Sequence, residues 1–275
     1  MTDAPDDPLF HDPDGGIGRL LAIMARLRDR ERGCPWDIEQ DFASIAPYTI
    51  EEAYEVADAI ERQAWGELKG ELGDLLFQAV YHARMAAEAG HFTFADVVRT
   101  VSDKMIARHP HVFGDESRDK TAEDQTRDWE RMKAAERKGG ALDGVALGLP
   151  ALTRAVKLQN RAARVGFDWP STAEVIDKLV EEARELAEAK DRLGPDEVAE
   201  EMGDLLFVVA NLARHLKVDA EGALRAANAK FVRRFRSVEL ALAARGRRPE
   251  ESGLAEMDAL WDAAKAAERA ARSAA

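Results

Sequence analysis

A pattern of acids occurs twice in this chain at one fixed spacing. Glu51-Glu52-Ala53-Tyr54-Glu55 is followed, after fifteen residues, by Glu71-Leu72-Gly73-Asp74. Glu181-Glu182-Ala183-Arg184-Glu185 is followed, again after fifteen, by Glu201-Met202-Gly203-Asp204. Every one of these acids recurs 130 residues on, and both copies run into Leu-Leu-Phe, Leu75–Phe77 and Leu205–Phe207. A solvated charge run has no reason to keep such a register. The chain therefore reads as two related halves, each built around one acid motif.

Residues three or four apart share a helix face. Glu52 projects with Glu55, and Glu71 with Asp74. The gap between the two pairs holds a helix end, a turn and a helix start, explicit in the second copy as Gly194-Pro195-Asp196. Short connections make antiparallel neighbours, so the pairs can face one another. The later helix of the first copy is apolar along Leu72, Leu75, Leu76, Ala79 and Val80, with Glu71, Asp74 and Gln78 beside that stripe. Clustered carboxylates repel: two unit charges about 4 Å apart cost about 4 kcal/mol at a near-surface dielectric. Either protons or a cation must offset that repulsion. An all-oxygen donor set suits a hard cation, Mg²⁺ or alternatively Mn²⁺, which shares its shell with substrate phosphates. The chemistry indicated is metal-assisted attack of water on a polyphosphate.

The 275 residues suffice for two domains of ordinary size, and hydrophobic residues make up 46% of them,. Aromatics are only 7%, alanine is abundant and β-branched runs are scarce, which predicts helices throughout. A net charge of −13 argues against a nucleic-acid polymer or an anionic membrane as partner,. It does not argue against a nucleotide carrying a metal. The single cysteine, Cys34, excludes an internal disulfide and is read as a small apolar residue,. The acidic N-terminus lacks an apolar leader and no apolar run approaches a membrane span, so a cytoplasmic location is expected,.

The predicted organisation is a disordered tail (1–16), a first helical domain (17–138), a linker (139–150) and a second helical domain (151–272). Gly139-Gly140 through Pro150 marks the boundary,. Within the first domain a loop is expected through Pro47, with Thr49 capping the first acid helix. Another loop is expected at His109–Gly114, and a helix from about Ala122 to Lys138. Further pairs repeat as well. Lys104 and Arg108 recur as Lys230 and Arg234; Trp129 and Lys133 recur as Trp261 and Lys265. Cations can take phosphate oxygens and an indole can stack on a base.

Taken together these residues resemble the MazG family of nucleoside triphosphate pyrophosphohydrolases. The resemblance rests on Gly33–Asp37 (GCPWD), Ile45–Glu52, Gly70–Phe77 (GELGDLLF), Arg108–Phe113 (RHPHVF), Val165–Trp169 (VGFDW), Glu200–Phe207 (EEMGDLLF) and Asn211–Leu216. It implies an all-α fold in which helical hairpins pair into four-helix bundles, usually in a homo-oligomer such as a dimer. It also implies Mg²⁺-dependent hydrolysis of nucleoside triphosphates to monophosphate and pyrophosphate, in house-cleaning of the nucleotide pool. Family catalytic and metal-binding positions fall on Glu182, Glu185, Glu201 and Asp204, and by the repeat on Glu52, Glu55, Glu71 and Asp74. Nucleotide contacts fall on Lys178, Glu181, Lys230, Arg234, Trp261 and Lys265, with Lys104, Arg108, Trp129 and Lys133 as first-half counterparts. Two alternatives stay open: a related enzyme with a narrow substrate of the phosphoribosyl-ATP type, and a helical nucleotide sensor without catalysis.

Overall fold

A computed structural model describes residues 7–119, 121–135 and 139–274, with side chains 130, 131, 133–135, 272 and 274 left aside. Among the described residues there are helices and no strands. The chain divides into two units, Met1–Glu136 and Arg137–Ala275, and each is described by itself.

The first unit runs α1 (Gly16–Leu27), α2 (Pro35–Glu39), α3 (Phe42–Glu61), α4 (Trp65–Glu88), α5 (Phe94–Arg108), α6 (Pro110–Phe113) and α7 (Ala122–Ala135). Its centre is the α3/α4 hairpin, turned by Gln63 with φ of 56°, with α1 packed on α4. Met24, Ile45, Val80, Tyr81 and Met85 form the buried core, with Leu20, Leu21, Phe77 and Phe94 against it. The Trp36-Asp37 segment is tied to that core through its backbone. Tyr81 donates its hydroxyl to the Asp37 carbonyl at 2.9 Å, and Arg28 donates to the Asp37 and Gln40 carbonyls. Arg28 is itself held by Glu88 at 2.9 Å.

Several sequence expectations are corrected in this unit. The loop expected through Pro47 is helical from Phe42, because Asp41 and Ser44 form a reciprocal capping box (2.8 and 2.9 Å),. Pro47 is thus accommodated inside α3. Thr49 is not a cap: its Oγ1 meets His82 Nε2 of α4 at 2.8 Å. The loop expected at His109–Gly114 contains one helical turn, Pro110–Phe113, with proline at the position that needs no N–H donor,. The expected disordered tail begins outside the described residues (1–6). Pro8–His11 form a 3₁₀ turn capped by Asp7, and Arg19 Nε donates to the Phe10 carbonyl at 2.9 Å. The last residues of the helix expected to reach Lys138 lie outside the described residues.

The second unit comprises α8 (Ala151–Arg164), α9 (Thr172–Arg192), α10 (Pro195–His215), α11 (Ala220–Ala243) and α12 (Leu254–Ala274). The α9/α10 hairpin is its centre, α8 packs on α10, and α12 packs along α11. The stretch expected as a linker folds back onto α8. Arg161 donates to the carbonyls of Leu142 (3.2 Å) and Gly144 (3.3 Å), and Gly144 takes a φ of 75° that favours glycine,. The Asp168-Trp169 break is anchored through a side chain rather than the backbone: Asp168 accepts from Arg214 and meets His215 Nε2 at 3.2 Å. Those contacts, Arg214 foremost, hold its carboxyl below the ordinary range.

Candidate active site

In each unit the acid motif spans a helical hairpin, the first arm carrying the Glu-x-x-Glu pair and the second the Glu-x-x-Asp pair. In the first unit Glu52, Glu55 and Glu71 each bring one carboxylate oxygen to a point where all lie within 4.8 Å of one another. In the second, Glu182, Glu201 and Asp204 do the same. The fourth acid of each set, Asp74 or Glu185, stands beside its trio and acts on it electrostatically. Partial desolvation, then the charges of Glu185, Glu182 and Asp204, pushes Glu201 above the ordinary carboxylate range. Glu52 is raised by desolvation and by Asp74 and Glu55, and Glu71 by desolvation and Glu55. Charges gathered this closely are what a bound cation relieves, and the all-oxygen set fits a hard divalent ion.

One of the positions at which the two centres differ carries a cation beside the acids. Lys178 lies one turn before Glu182, and its ammonium bridges Glu181 and Glu182 at 2.8 Å each. Those two bonds, Glu181 first, raise its pKa. Glu182 is only 5% exposed. The corresponding first-unit position is Tyr48, and Glu52 is half-buried. The second centre therefore contains an internal counter-charge on a buried carboxylate, and among the described residues the first shows none.

The apolar stripe expected on α4 divides. Val80 is buried, whereas Leu72 and Leu76 are exposed beside the acids. The equivalent Met202 and Leu206 of α10 are exposed too, with Ile176 and Val180 on α9 and Ile50 and Tyr54 on α3. The packed face of α4 instead holds Gln78, Val80, Tyr81, Ala83, Met85 and Ala86.

The candidate nucleotide contacts sit on the helices that follow. Arg234 of α11 lies over the Trp261 ring of α12, 5.6 Å from its centroid. Arg108 lies over Trp129 in the same way at 5.2 Å, so the repeat recurs as geometry. Trp261 also meets Phe231 at 5.2 Å and lines a cleft of about 230 Å³ with Phe235, Val238, Leu254, Met257 and Asp258. Lys265 stays close to Asp262 at 3.8 Å. Lys104 and Lys230 are exposed, and the side chain of Lys133 lies outside the described residues. Sequence reasoning missed Glu268, which accepts two bonds from Arg234 (2.9 and 2.8 Å). A signal for it exists: Lys133-Ala-Ala-Glu136-Arg137 recurs as Lys265-Ala-Ala-Glu268-Arg269.

The model of the MazG nucleotide pyrophosphohydrolase domain matches this chain twice, over residues 40–113 and 171–238. These segments take in each acid hairpin and the Lys/Arg pair beyond it. The chain is 52% identical to a nucleoside triphosphate pyrophosphohydrolase of Escherichia coli K12, over 90% of this chain and 97% of that protein. The chain belongs to the MazG family of nucleotide pyrophosphohydrolases. It is also 44% identical to the nucleoside triphosphate pyrophosphohydrolase/pyrophosphatase MazG of Thermotoga maritima, covering 90% of this chain and 94% of that one. A Mycobacterium tuberculosis nucleoside triphosphate pyrophosphohydrolase is 34% identical, over 86% of this chain and 63% of its own length. Like the expected family pattern, the chain is helical and duplicated, and among the described residues no helix is long and apolar enough to cross a membrane.

Proposed function

We propose that this protein hydrolyses nucleoside and deoxynucleoside triphosphates to monophosphate and pyrophosphate, with broad base tolerance, as a housekeeping activity on the cytoplasmic nucleotide pool. The observation that carries the reading is the convergence of three carboxylates on each hairpin. Family membership supplies the reaction class. Glu182, Glu201 and Asp204, with Glu185 beside them, would hold Mg²⁺ in the second unit. Glu52, Glu55, Glu71 and Asp74 are the equivalent set in the first. Bound there, Mg²⁺ offsets phosphate charge and favours attack by water at neutral pH.

The remaining roles belong to side chains of the chain itself. A carboxylate of the cluster raised above its ordinary range is suited to accept a proton from the attacking water. Lys178 offsets part of the charge of Glu181 and Glu182 while no cation is present, and a cation that takes over that role would free its ammonium for a phosphate oxygen. Lys230, Arg234 and Lys265 stabilise charge on the phosphates. Trp261 offers an indole face to the base, a contact every base can make, which suits broad tolerance. The asymmetry at Lys178 favours the second unit as the working centre. The exposed apolar residues on both hairpins suit a second copy of this chain, which would complete a four-helix bundle and give a homodimer.

Product analysis tests this directly. Purified protein with Mg²⁺ and a panel of triphosphates should release monophosphate and pyrophosphate. The Glu182→Ala/Glu185→Ala pair should abolish that release, and the Glu52→Ala/Glu55→Ala pair should spare most of it. Diphosphate plus orthophosphate as products would refute the assigned bond. Nucleotide binding without any metal-dependent product would move the protein to the sensor class.

A further inference from the structure

Helix α12 is tied to the turn after α11 and to α11 itself, and the two ties differ in kind. Near the start of α12, Glu256 accepts from Arg245 (2.9 Å) and Arg247 (2.7 Å). Farther along, Glu268 accepts from Arg233 (2.9 Å) through Oε1, and from Nε and Nη2 of Arg234 through Oε2 (2.9 and 2.8 Å). The first tie holds the start of α12 to the turn after α11, and Phe231 packs on Trp261 between the two helices, so the Glu268 tie is one of several contacts that dock α12. The two arginines of that tie differ in exposure. Arg233 is 55% exposed, where an ion pair contributes little, whereas Arg234 and Glu268 are 16% and 21% exposed.

The internal repeat separates the two partners of Glu268. The position equivalent to Arg234 is Arg108, another arginine over a tryptophan ring. The position equivalent to Arg233 is Ala107. The glutamate recurs in sequence as Glu136, seven residues after Trp129, just as Glu268 follows Trp261 by seven. What the two halves share is thus arginine, tryptophan and glutamate as a set. Residues seven apart on a helix lie on one face, so Trp261 and Glu268 flank the position that Arg234 occupies between α11 and α12.

We infer that Glu268 is a positioning residue for the phosphate-binding arginine: it takes the Nε–Nη2 edge of Arg234, Trp261 supports the face, and Nη1 is left to meet a phosphate oxygen. The inference rests on the reading of Arg234 as a nucleotide contact. The two arginines, Arg234 first, hold the Glu268 carboxyl below the ordinary range, so the clamp keeps its charge at neutral pH. An arginine fixed along one edge loses less freedom on binding a phosphate than a free one. Glu268 touches no substrate atom, and its effect should pass entirely through Arg234.

Steady-state kinetics with Mg²⁺ and one triphosphate, read as separate KM and kcat values, tests the clamp. Glu268→Ala should raise KM by about 10-fold with kcat within about 2-fold, the pattern of binding lost equally in the ground and transition states. Glu268→Gln, which still accepts a hydrogen bond, should fall between it and wild type and guards against misfolding of the alanine variant. Arg233→Ala, which breaks only the outer bond, should leave both constants within about 2-fold of wild type. In an Arg234→Ala background, Glu268→Ala should add less than about 2-fold. A full additional effect in that background, an equal effect from Arg233→Ala, or an unmoved KM in Glu268→Ala would each overturn the inference. A wild-type protein that releases no pyrophosphate from any triphosphate would remove the functional reading and this inference with it. An active wild type beside an unmoved Glu268→Ala variant would remove the inference alone.

Discussion

Replacing Lys178 with methionine separates the roles of the ammonium and of the cation that competes with it. Methionine keeps the apolar stem of the side chain and deletes only the charge. In the protein without metal, that deletion strands Glu182, a carboxylate 5% exposed whose ammonium partner stands at 2.8 Å. A hydrogen bond to a charged group contributes about 1.5–3 kcal/mol. The upper end of that range requires a buried pair, and the Lys178 side chain is 30% exposed. The loss should therefore lie in the lower half, about 1.5–2 kcal/mol. At about 3 °C per kcal/mol for a unit of this size, the transition of the second unit should fall by about 4–6 °C in calorimetry without metal. Saturating Mg²⁺ puts positive charge back beside Glu182. The metal-induced rise in melting temperature should thus be larger in Lys178→Met than in wild type, while turnover drops. Tyr48→Met, at the equivalent place in the first unit, should show no such metal dependence. A melting deficit in Lys178→Met that is the same with and without Mg²⁺ would refute this reasoning, because the lysine would then be stabilising something other than the acid cluster.

Glu201 should show the opposite sign. Its folded-state pKa is raised, so its contribution to stability is complete below its unfolded value, about 4.3, and is lost as pH rises through the folded value. Glu201→Gln without metal should accordingly melt above wild type at pH 7, and differential scanning with added Mg²⁺ should show that its metal-induced rise is reduced or gone. Trp261→Ala should raise KM by about 10-fold for every base in a triphosphate panel, since stacking contributes about 1–3 kcal/mol with little regard to base; selective loss for one base would refute a general stacking role. Met24→Ala, at a site with no exposure, should destabilise the first unit by about 2–5 kcal/mol, read from the midpoint and slope of urea unfolding.

How much of this was legible in the sequence depends on the range of each interaction. The acid hairpins were legible because the information is periodic and local: Glu182 and Glu185 share a face, and the turn at Gly194-Pro195 sets the partner helix. The start of α3 was not, because Pro47 carries a strong breaking signal and Thr49 is a plausible cap. The capping box of Asp41 and Ser44 lies upstream of both and outweighs them. The division of the α4 stripe was also hidden. Leu72 and Val80 are equally apolar in sequence, and only the tertiary placement of α1, α3 and α5 around one end of α4 covers Val80 and not Leu72. Glu268 was a different kind of miss. It lay in plain view within the repeated Lys-Ala-Ala-Glu-Arg, but a glutamate on an alanine-rich helix carries no mark of its partner until α11 is set beside α12.

The duplication turns the chain into its own control. Positions alike in both halves, such as the acid sets and the Arg-over-Trp pairs, are candidates for a shared task. Positions that differ show where the halves have parted. Lys178 against Tyr48 changes the charge balance at the acid cluster, and Val208 against the buried Gln78 changes the packing beneath the second acid helix. A buried glutamine costs stability unless its polar atoms are satisfied, and Gln78 Oε1 has no hydrogen-bond partner. The valine has no such cost. The second unit has its own buried amide against α10: Gln159 donates from Nε2 to the Phe207 carbonyl at 2.8 Å and leaves Oε1 without a hydrogen-bond partner, so the halves differ in where that cost falls and not in whether they bear it. The difference that bears on the acid clusters is Lys178 against Tyr48, and the paired Lys178→Met and Tyr48→Met variants measure what it contributes.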